Sequence, residues 1–301
     1  MTEEIKGHSL EKNFIIINCP NCGADDYSVF RRISDIVKCN NCGLVYLHKR
    51  MDEQTHNKLF IETAIDDNLF DSPDDLEKSV FSRKSFFDEI ISIKDKIDNL
   101  IDLGSGWGSL LKLATDNGIN AIGYEINQNM SGFCIEKLGL NVKDYFIDDP
   151  ELQENSIDVI SSLYSLPYLT NLNAYLKKIF NVLKPEGIFC GIVPNIDSFA
   201  SETLEDEWEY LTPYKNLIYF SPDTLTNLLE KLGFVIEKLY TTTGNYDYKS
   251  LSYIVKDAFD LQSQQEIDEQ IEVLNREGTV SYTHLRAHET PEHLVCRLLL
   301  E

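Results

Sequence analysis

An α/β fold, with a doubly wound and mostly parallel sheet preceded by a small cysteine-rich ribbon, is predicted by three features of this 301-residue sequence. From Asn99 onward, short apolar strands alternate with helical segments, the signature of parallel βαβ units. The first of these strands runs into a glycine-rich turn, Gly104-Ser105-Gly106-Trp107-Gly108. Ahead of them lie two C-x-x-C pairs, Cys19/Cys22 and Cys39/Cys42.

Taken in order, residues 1–13 are polar and residues 14–50 form the cysteine module, with strands expected over 27–33 and 36–38. Residues 51–97 read as a helical linker or cap. Ser72-Pro73-Asp74 marks a helix start, and a helix over 74–95 places Phe86, Ile90, Ile93 and Ile97 on one face. The sheet domain is expected over 98–278. Its strands are predicted at 99–103, 121–124, 141–145, 157–163, 188–193 and 234–240, and its helices at 109–117, 128–138, 171–182 and 223–232. Residues 195–220 hold Phe199, Trp208, Tyr210, Tyr214, Tyr219 and Phe220 among acidic residues. An insertion at that point suits either a lid over a bound molecule or a cover for the cysteine module.

Composition narrows the function. A hydrophobic share of 43% supports a packed core. No apolar run reaches the roughly 20 residues that span a bilayer, and no secretory leader is visible, so a cytoplasmic location is expected. A net charge of −23 repels phosphate backbones, and no Lys/Arg cluster offsets it, so nucleic acid is a disfavoured partner.

The two knuckles Cys19-Pro20-Asn21-Cys22-Gly23 and Cys39-Asn40-Asn41-Cys42-Gly43 are nearly identical. Each turn aims two thiolates at one point, and together Cys19, Cys22, Cys39 and Cys42 complete a tetrahedral set suited to Zn²⁺. With all four positions taken by protein, the ion would be structural, and its binding would fold a segment too short for its own core. Loss of one ligand is expected to unfold this ribbon while largely sparing the rest.

The glycine turn follows the first strand, and open α/β sheets bind ligands at the carboxyl ends of their strands. Glu125 follows the second strand about twenty residues on, where a carboxylate can accept both hydroxyls of a ribose. These features fit an adenosine ligand in general.

Further motifs are more specific. Residues 98–240 resemble the class I S-adenosylmethionine-dependent methyltransferases, through Ile101–Gly108, Gly123-Tyr124-Glu125, Ser156-Ile157-Asp158-Val159-Ile160, Val182-Leu183-Lys184-Pro185-Glu186-Gly187 and Lys231-Leu232-Gly233-Phe234. Several bacterial members carry a zinc ribbon ending in C-x-x-C-G-L-x-Y, the pattern of Cys39–Tyr46. The resemblance implies S-adenosylmethionine as cofactor. Gly104, Gly106 and Gly108 would border its methionine portion, with Ser105 in the same cradle and Asp102 near the amino group. Glu125 would hold the ribose, and Asp144 would sit beside the adenine amino group, with Asp148-Asp149 as an alternative register.

Transfer to a hydroxyl or acidic carbon also needs a general base. Relatives often carry Glu-His where this chain has Pro167-Tyr168, and often a histidine where it has Asn216–Phe220. Outside the tail the histidines are His8, His48 and His56, all outside the sheet domain, so no histidine base is expected there. Tyr164, Tyr168 and Tyr219 are the possible substitutes, though each reads first as a packing aromatic. The expected activity is methyl transfer to a small-molecule or glycan-precursor acceptor. An RNA methyltransferase with a zinc module and a non-catalytic adenosine-binding protein are the alternatives.

The tail reads differently. Val280–Thr290 looks like a translated transposase-type sequencing adapter, and His293–Glu301 is similar to the translation of its distal end. Residues 280–301 are therefore expected to be non-native, with the native frame lost near Gly278. No candidate for the antiparallel strand that ends such sheets lies between Tyr240 and Gly278, whereas Val280–Leu285 alternates enough to fill that slot.

Overall fold

A computed structural model describes residues 13–63 except 34, 73–242 except 95, 213 and 214, the separate residues 263, 265, 266 and 269, and 293–299. The chain opens with β1 (Phe14–Ile16), β2 (Tyr27–Val29), β3 (Ile36–Cys39), β4 (Val45–Leu47) and β5 (Lys49–Met51), then α1 (Glu53–Thr63) and α2 (Pro73–Ile93). Pro73 begins α2, where its missing N–H and fixed φ suit a first helical position. On α2 the fully buried aromatic is Phe87, at 2% exposure, with Ile90 at 1%, while Phe86 packs at the margin. Ile90 and, at the margin, Phe86, Ile93 and Ile97 pack as expected, and Phe87 widens the buried face beside Leu110, Leu111 and Ala114 of the next helix.

The sheet domain follows as β6 (Asn99–Leu103), α3 (Ser109–Asp116), β7 (Asn120–Tyr124), α4 (Gln128–Glu136), β8 (Val142–Lys143), β9 (Ile157–Leu163), α5 (Leu172–Val182) and β10 (Leu183–Pro194). After β10 come α6 (Phe199–Leu204), β11 (Ile218–Tyr219), α7 (Pro222–Lys231) and β12 (Val235–Thr242), with β13 (His293–Leu299) last. Ser221 caps α7 reciprocally with Thr224, and Pro222 occupies its first turn.

The central sheet has the order β12-β13-β10-β9-β6-β7-β8. Five strands, β8, β7, β6, β9 and β10, pair in parallel, as expected from the alternating pattern. The chain runs outward from β6 to β8 and then returns to β9 on the other side. That reversal opens a crevice at the carboxyl ends of β6 and β9. Lys184 on β10 binds both carboxylate oxygens of Asp158 on β9, each at 2.9 Å, and Asp158 also accepts from the N–H groups of Asp98 and Asn99. The Asp158 and Lys184 motifs therefore meet as one clamp at the amino-terminal edge of the sheet.

β13 runs antiparallel between β10 and β12, in register from Ile188↔Leu299 to Pro194↔His293. The slot is filled by His293–Leu299 rather than Val280–Leu285, which lie outside the described residues. Such pairing uses main-chain groups that any extended segment carries, so adapter-like residues can meet it.

The cysteine ribbon is not a separate body. Its sheet has the order β11-β4-β3-β2, so strand β11 of the sheet domain completes it through the pairs Ile218↔Tyr46 and Tyr219↔Val45. Cys19, Ile36, Tyr46 and Leu47 share one buried cluster with Trp208, Leu217, Phe220 and Phe189. Lys231 Nζ donates to the Asn21 carbonyl at 2.9 Å, and Asn173 donates to that of Pro20. This shared core contradicts the expected separability of the ribbon: apolar surface common to both parts is lost by both. No helix among the described residues is long and apolar enough to cross a membrane.

Trp208, 1% exposed, lies in that shared cluster. Trp208→Ala should cost about 3–5 kcal/mol. Urea unfolding followed by tyrosine fluorescence and by far-ultraviolet circular dichroism should show one common transition, shifted to lower denaturant. A ribbon that melts first, with the sheet unaffected, would contradict the common core.

Candidate functional site

The chain leaves β6 through Gly104 (φ +70°), Gly106 (φ +53°) and Gly108 (φ +81°), all left-handed, before α3 begins. A side chain at Gly104 would place its Cβ 1.9 Å from Ser165 Oγ, so the end of β9 approaches the turn as closely as backbone allows. The N–H groups of Gly104 and Ser105 both donate to the Tyr124 carbonyl, at 2.8 and 3.2 Å. Glu125 closes the arrangement: its carboxylate accepts from Gly106 N at 2.9 Å and from Asn127 N at 2.8 Å. Burial pushes the Glu125 carboxyl up, against these two N–H groups. Asp102 is buried behind the turn and accepts from Ser161 Oγ at 2.8 Å. Burial raises its carboxyl to about 6 despite that bond.

A cavity of about 290 Å³ opens at the carboxyl ends of β6, β7, β8 and β9. Of the residues proposed from sequence for the cofactor, Gly104, Glu125 and Asp144 line it, whereas Asp102, Ser105, Gly106 and Gly108 form the turn behind its wall. Asp144 reaches the cavity with Tyr145 and Phe146. Asp149 is engaged elsewhere, accepting from Tyr124 Oη at 2.6 Å and Lys143 Nζ at 2.8 Å. Burial alone would raise its carboxyl, but these donors bring it to about 2. Ser162 also lines the cavity, and its buried hydroxyl has no hydrogen-bond partner among the described residues.

Tyr164 and Tyr168 line the cavity as well. Tyr164 holds φ +62°, a conformation costly for a residue with a side chain, and the Arg83 guanidinium lies 5.6 Å from its ring centre. Tyr219 does not line it. It is buried on β11 against the ribbon, and its hydroxyl makes no hydrogen bond among the described residues. Residues 195–220 supply no described side chain to the cavity. They cover the ribbon, where Arg31 donates to the Glu205 carbonyl at 2.7 Å and to Ser201 Oγ at 2.8 Å.

The opposite wall comes from α1 instead, through Glu53, His56 and Asn57. Sequence reasoning missed these residues because α1 lies outside the sheet domain. The available signal was Asp52, which caps α1 by accepting from Thr55 N at 2.8 Å.

In the ribbon the four cysteine sulfurs lie within 4.8 Å of one another, with Cys19–Cys42 and Cys22–Cys39 each 3.5 Å apart. A zinc tetrahedron with bonds of about 2.3 Å has edges of about 3.8 Å, so this set fits one ion. Burial raises the Cys19 and Cys42 thiols. At Cys22 burial is outweighed by hydrogen bonds from Asn41 and the Ala24 backbone, which bring it down to about 6.

The sequence profile of the methyltransferase domain family matches residues 56–239, more than half of the chain. The chain belongs to that family. It is an S-adenosylmethionine-dependent methyltransferase. No curated protein sequence matches the methyltransferase at a significant level. Among solved structures it is similar to an S-adenosylmethionine-dependent methyltransferase from Archaeoglobus fulgidus, at 19% identity and TM-score 0.53, covering 73% of this chain and 94% of that one. It is also similar to phosphoethanolamine N-methyltransferase 2 of Haemonchus contortus, solved with S-adenosyl-L-methionine, at 12% identity and TM-score 0.54, covering 81% of this chain and 60% of that one. At these identities the likeness establishes the fold.

Gly104→Ala should destabilise the methyltransferase by roughly 2–3 kcal/mol, from the left-handed backbone and the contact with Ser165 together. Chemical denaturation measures it. Unchanged stability would show that Ser165 moves aside without cost.

Proposed function

We propose that this methyltransferase transfers the methyl group of S-adenosylmethionine to a small-molecule acceptor, with glycan precursors among the candidates. The cavity carries this reading. Its lining among the described residues carries no Lys or Arg and includes the carboxylates Glu53, Glu125 and Asp144. Carboxylates so placed repel a polynucleotide, as does the net charge of −23, which counts against the RNA reading.

The residues fit the cofactor. The Ser162 hydroxyl, without a partner among the described residues, and the remaining lone pairs of Glu125 offer partners to a ligand rich in hydroxyls. Glu125 would hold the ribose, Asp144 the adenine amino group, and the Gly104–Gly108 turn the methionine portion, with Asp102 behind it. When bound, the cofactor supplies a methyl group already activated on a sulfonium. The chain's own task is alignment: the turn fixes one reactant, and α1 with Tyr164 and Tyr168 encloses the other.

Incubation with methyl-labelled S-adenosylmethionine and fractionated cell extract should place label in the ultrafiltered small-molecule fraction, insensitive to ribonuclease. Glu125→Ala should weaken the cofactor by about 2–3 kcal/mol in calorimetry, through lost charge-assisted hydrogen bonds. Label confined to RNA would reverse the acceptor assignment, and unchanged affinity would remove Glu125 from the cofactor site.

For the ribbon we propose structural zinc on Cys19, Cys22, Cys39 and Cys42. Purified protein should carry one zinc per chain. Because the core is shared, Cys39→Ser should lower the melting temperature of the whole protein along with its zinc content. A metal-free wild type would refute the site.

A further inference from the structure

We propose that the acceptor is an amine, a small molecule whose nitrogen takes the methyl group, and that Glu53 on α1 selects it. This rests on the small-molecule reading of the cavity. Three carboxylates belong to the wall, Glu53, Glu125 and Asp144. Glu125 and Asp144 serve the cofactor in that reading, which leaves Glu53 for the acceptor. Glu53 is exposed and yet belongs to the wall, so it stands where the cavity meets solvent. Its carboxylate makes no hydrogen bond or ion pair among the described residues. Burial first and the Glu53 charge second push the Tyr175 phenol up to about 12, so the carboxylate acts on the wall that Tyr175 shares.

The rest of the wall also favours a cation. Phe146, Tyr164, Tyr168 and Tyr175 belong to it, and aromatic rings attract cations. Phe146 already does so, with Lys178 Nζ 6.0 Å from its ring centre. Lys178 itself is not on the wall and donates to the carbonyls of Ile147 and Asp149. Arg83 lies 5.6 Å from the Tyr164 ring centre without lining the cavity. Arg50 feels the Glu53 charge, but it is buried, and its Nη2 is spent on the Thr170 carbonyl.

The chemistry suits such a wall. A neutral amine attacks with a lone pair it already holds, so no wall group has to take a proton in the transfer step. The nitrogen lone pair bonds the methyl carbon, and the pair of the broken carbon–sulfur bond stays on sulfur. The sulfonium becomes a neutral thioether, and its positive charge reappears on the methylated nitrogen. An ammonium that still carries N–H then releases a proton to water. Positive charge developing on a nitrogen beside Glu53 and the rings is stabilised more in the transition state than before it, which accelerates the step. A hydroxyl acceptor gains nothing comparable, because it must lose a proton as it attacks and ends uncharged.

The test uses ultrafiltered cell extract and methyl-labelled S-adenosylmethionine. Acetylating the amines of the ultrafiltrate beforehand should cut labelling at least about tenfold, and fragmentation of the product should place the methyl group on nitrogen. Glu53→Gln should raise by at least about tenfold the amount of ultrafiltrate that gives half-maximal rate, through the lost charge. Glu53→Asp should recover part of that loss. Affinity of both variants for S-adenosylmethionine, read by calorimetry, should stay within about twofold of wild type. Small-molecule label that survives acetylation overturns the amine assignment and leaves the small-molecule reading standing. Unchanged half-saturation in Glu53→Gln, or cofactor affinity lost in a variant that still melts cooperatively, removes Glu53 as the selecting residue. Label confined to macromolecules, or no transfer by wild type to any fraction, overturns both readings.

Discussion

Two main-chain pairs, Ile218 with Tyr46 and Tyr219 with Val45, join the cysteine ribbon to the sheet domain, and the cavity's second wall depends on them. Through this junction Leu47 N also bonds the Leu217 carbonyl at 2.9 Å, so β4 is held along its length. β5 and α1 follow within a few residues, which leaves α1 little freedom to sit elsewhere. Arg50, within β5, adds a buried bond from Nη2 to the carbonyl of Thr170, a residue of the cavity wall. The ribbon thus acts as a bracket: its two cysteine turns sit at one end, and the helix leaving the other end faces the glycine turn.

The parallel strands were readable because their signals are local. Apolar runs such as Ile157–Leu163 have strand length, and the glycines of 104–108 follow directly on β6. Gly104 and Glu125 were found by spacing alone, since the βαβ unit has a nearly fixed length. β11 was not readable. Two residues carry no periodicity, and its partner lies some 170 positions earlier. The same gap hid the choice between lid and cover for 195–220, because that choice depends on what Trp208 and Leu217 meet. His56 escaped for a related reason: helical periodicity reports apolar faces, and a polar residue turned inward gives no such signal.

The motifs that carried the family resemblance divide into two physical kinds. Asp158 and Lys184 clamp neighbouring strands at the amino-terminal edge, far from the cavity, and hold the sheet's register. Gly104 and Glu125 lie at the carboxyl edge, where Glu125 accepts from Gly106 N of the glycine turn at 2.9 Å. A turn tied by the protein's own carboxylate has fewer conformations to lose, which reduces the entropy that binding must overcome.

Tyr164 holds its left-handed backbone on the cavity wall, at a cost of about 1–3 kcal/mol that glycine would escape. For a chain drifting under selection for stability alone, that position is a slope toward glycine or asparagine. A tyrosine kept there carries that cost at a residue of the cavity wall, so strain and cavity share one position, and relieving the first by Tyr164→Gly would also reshape the second.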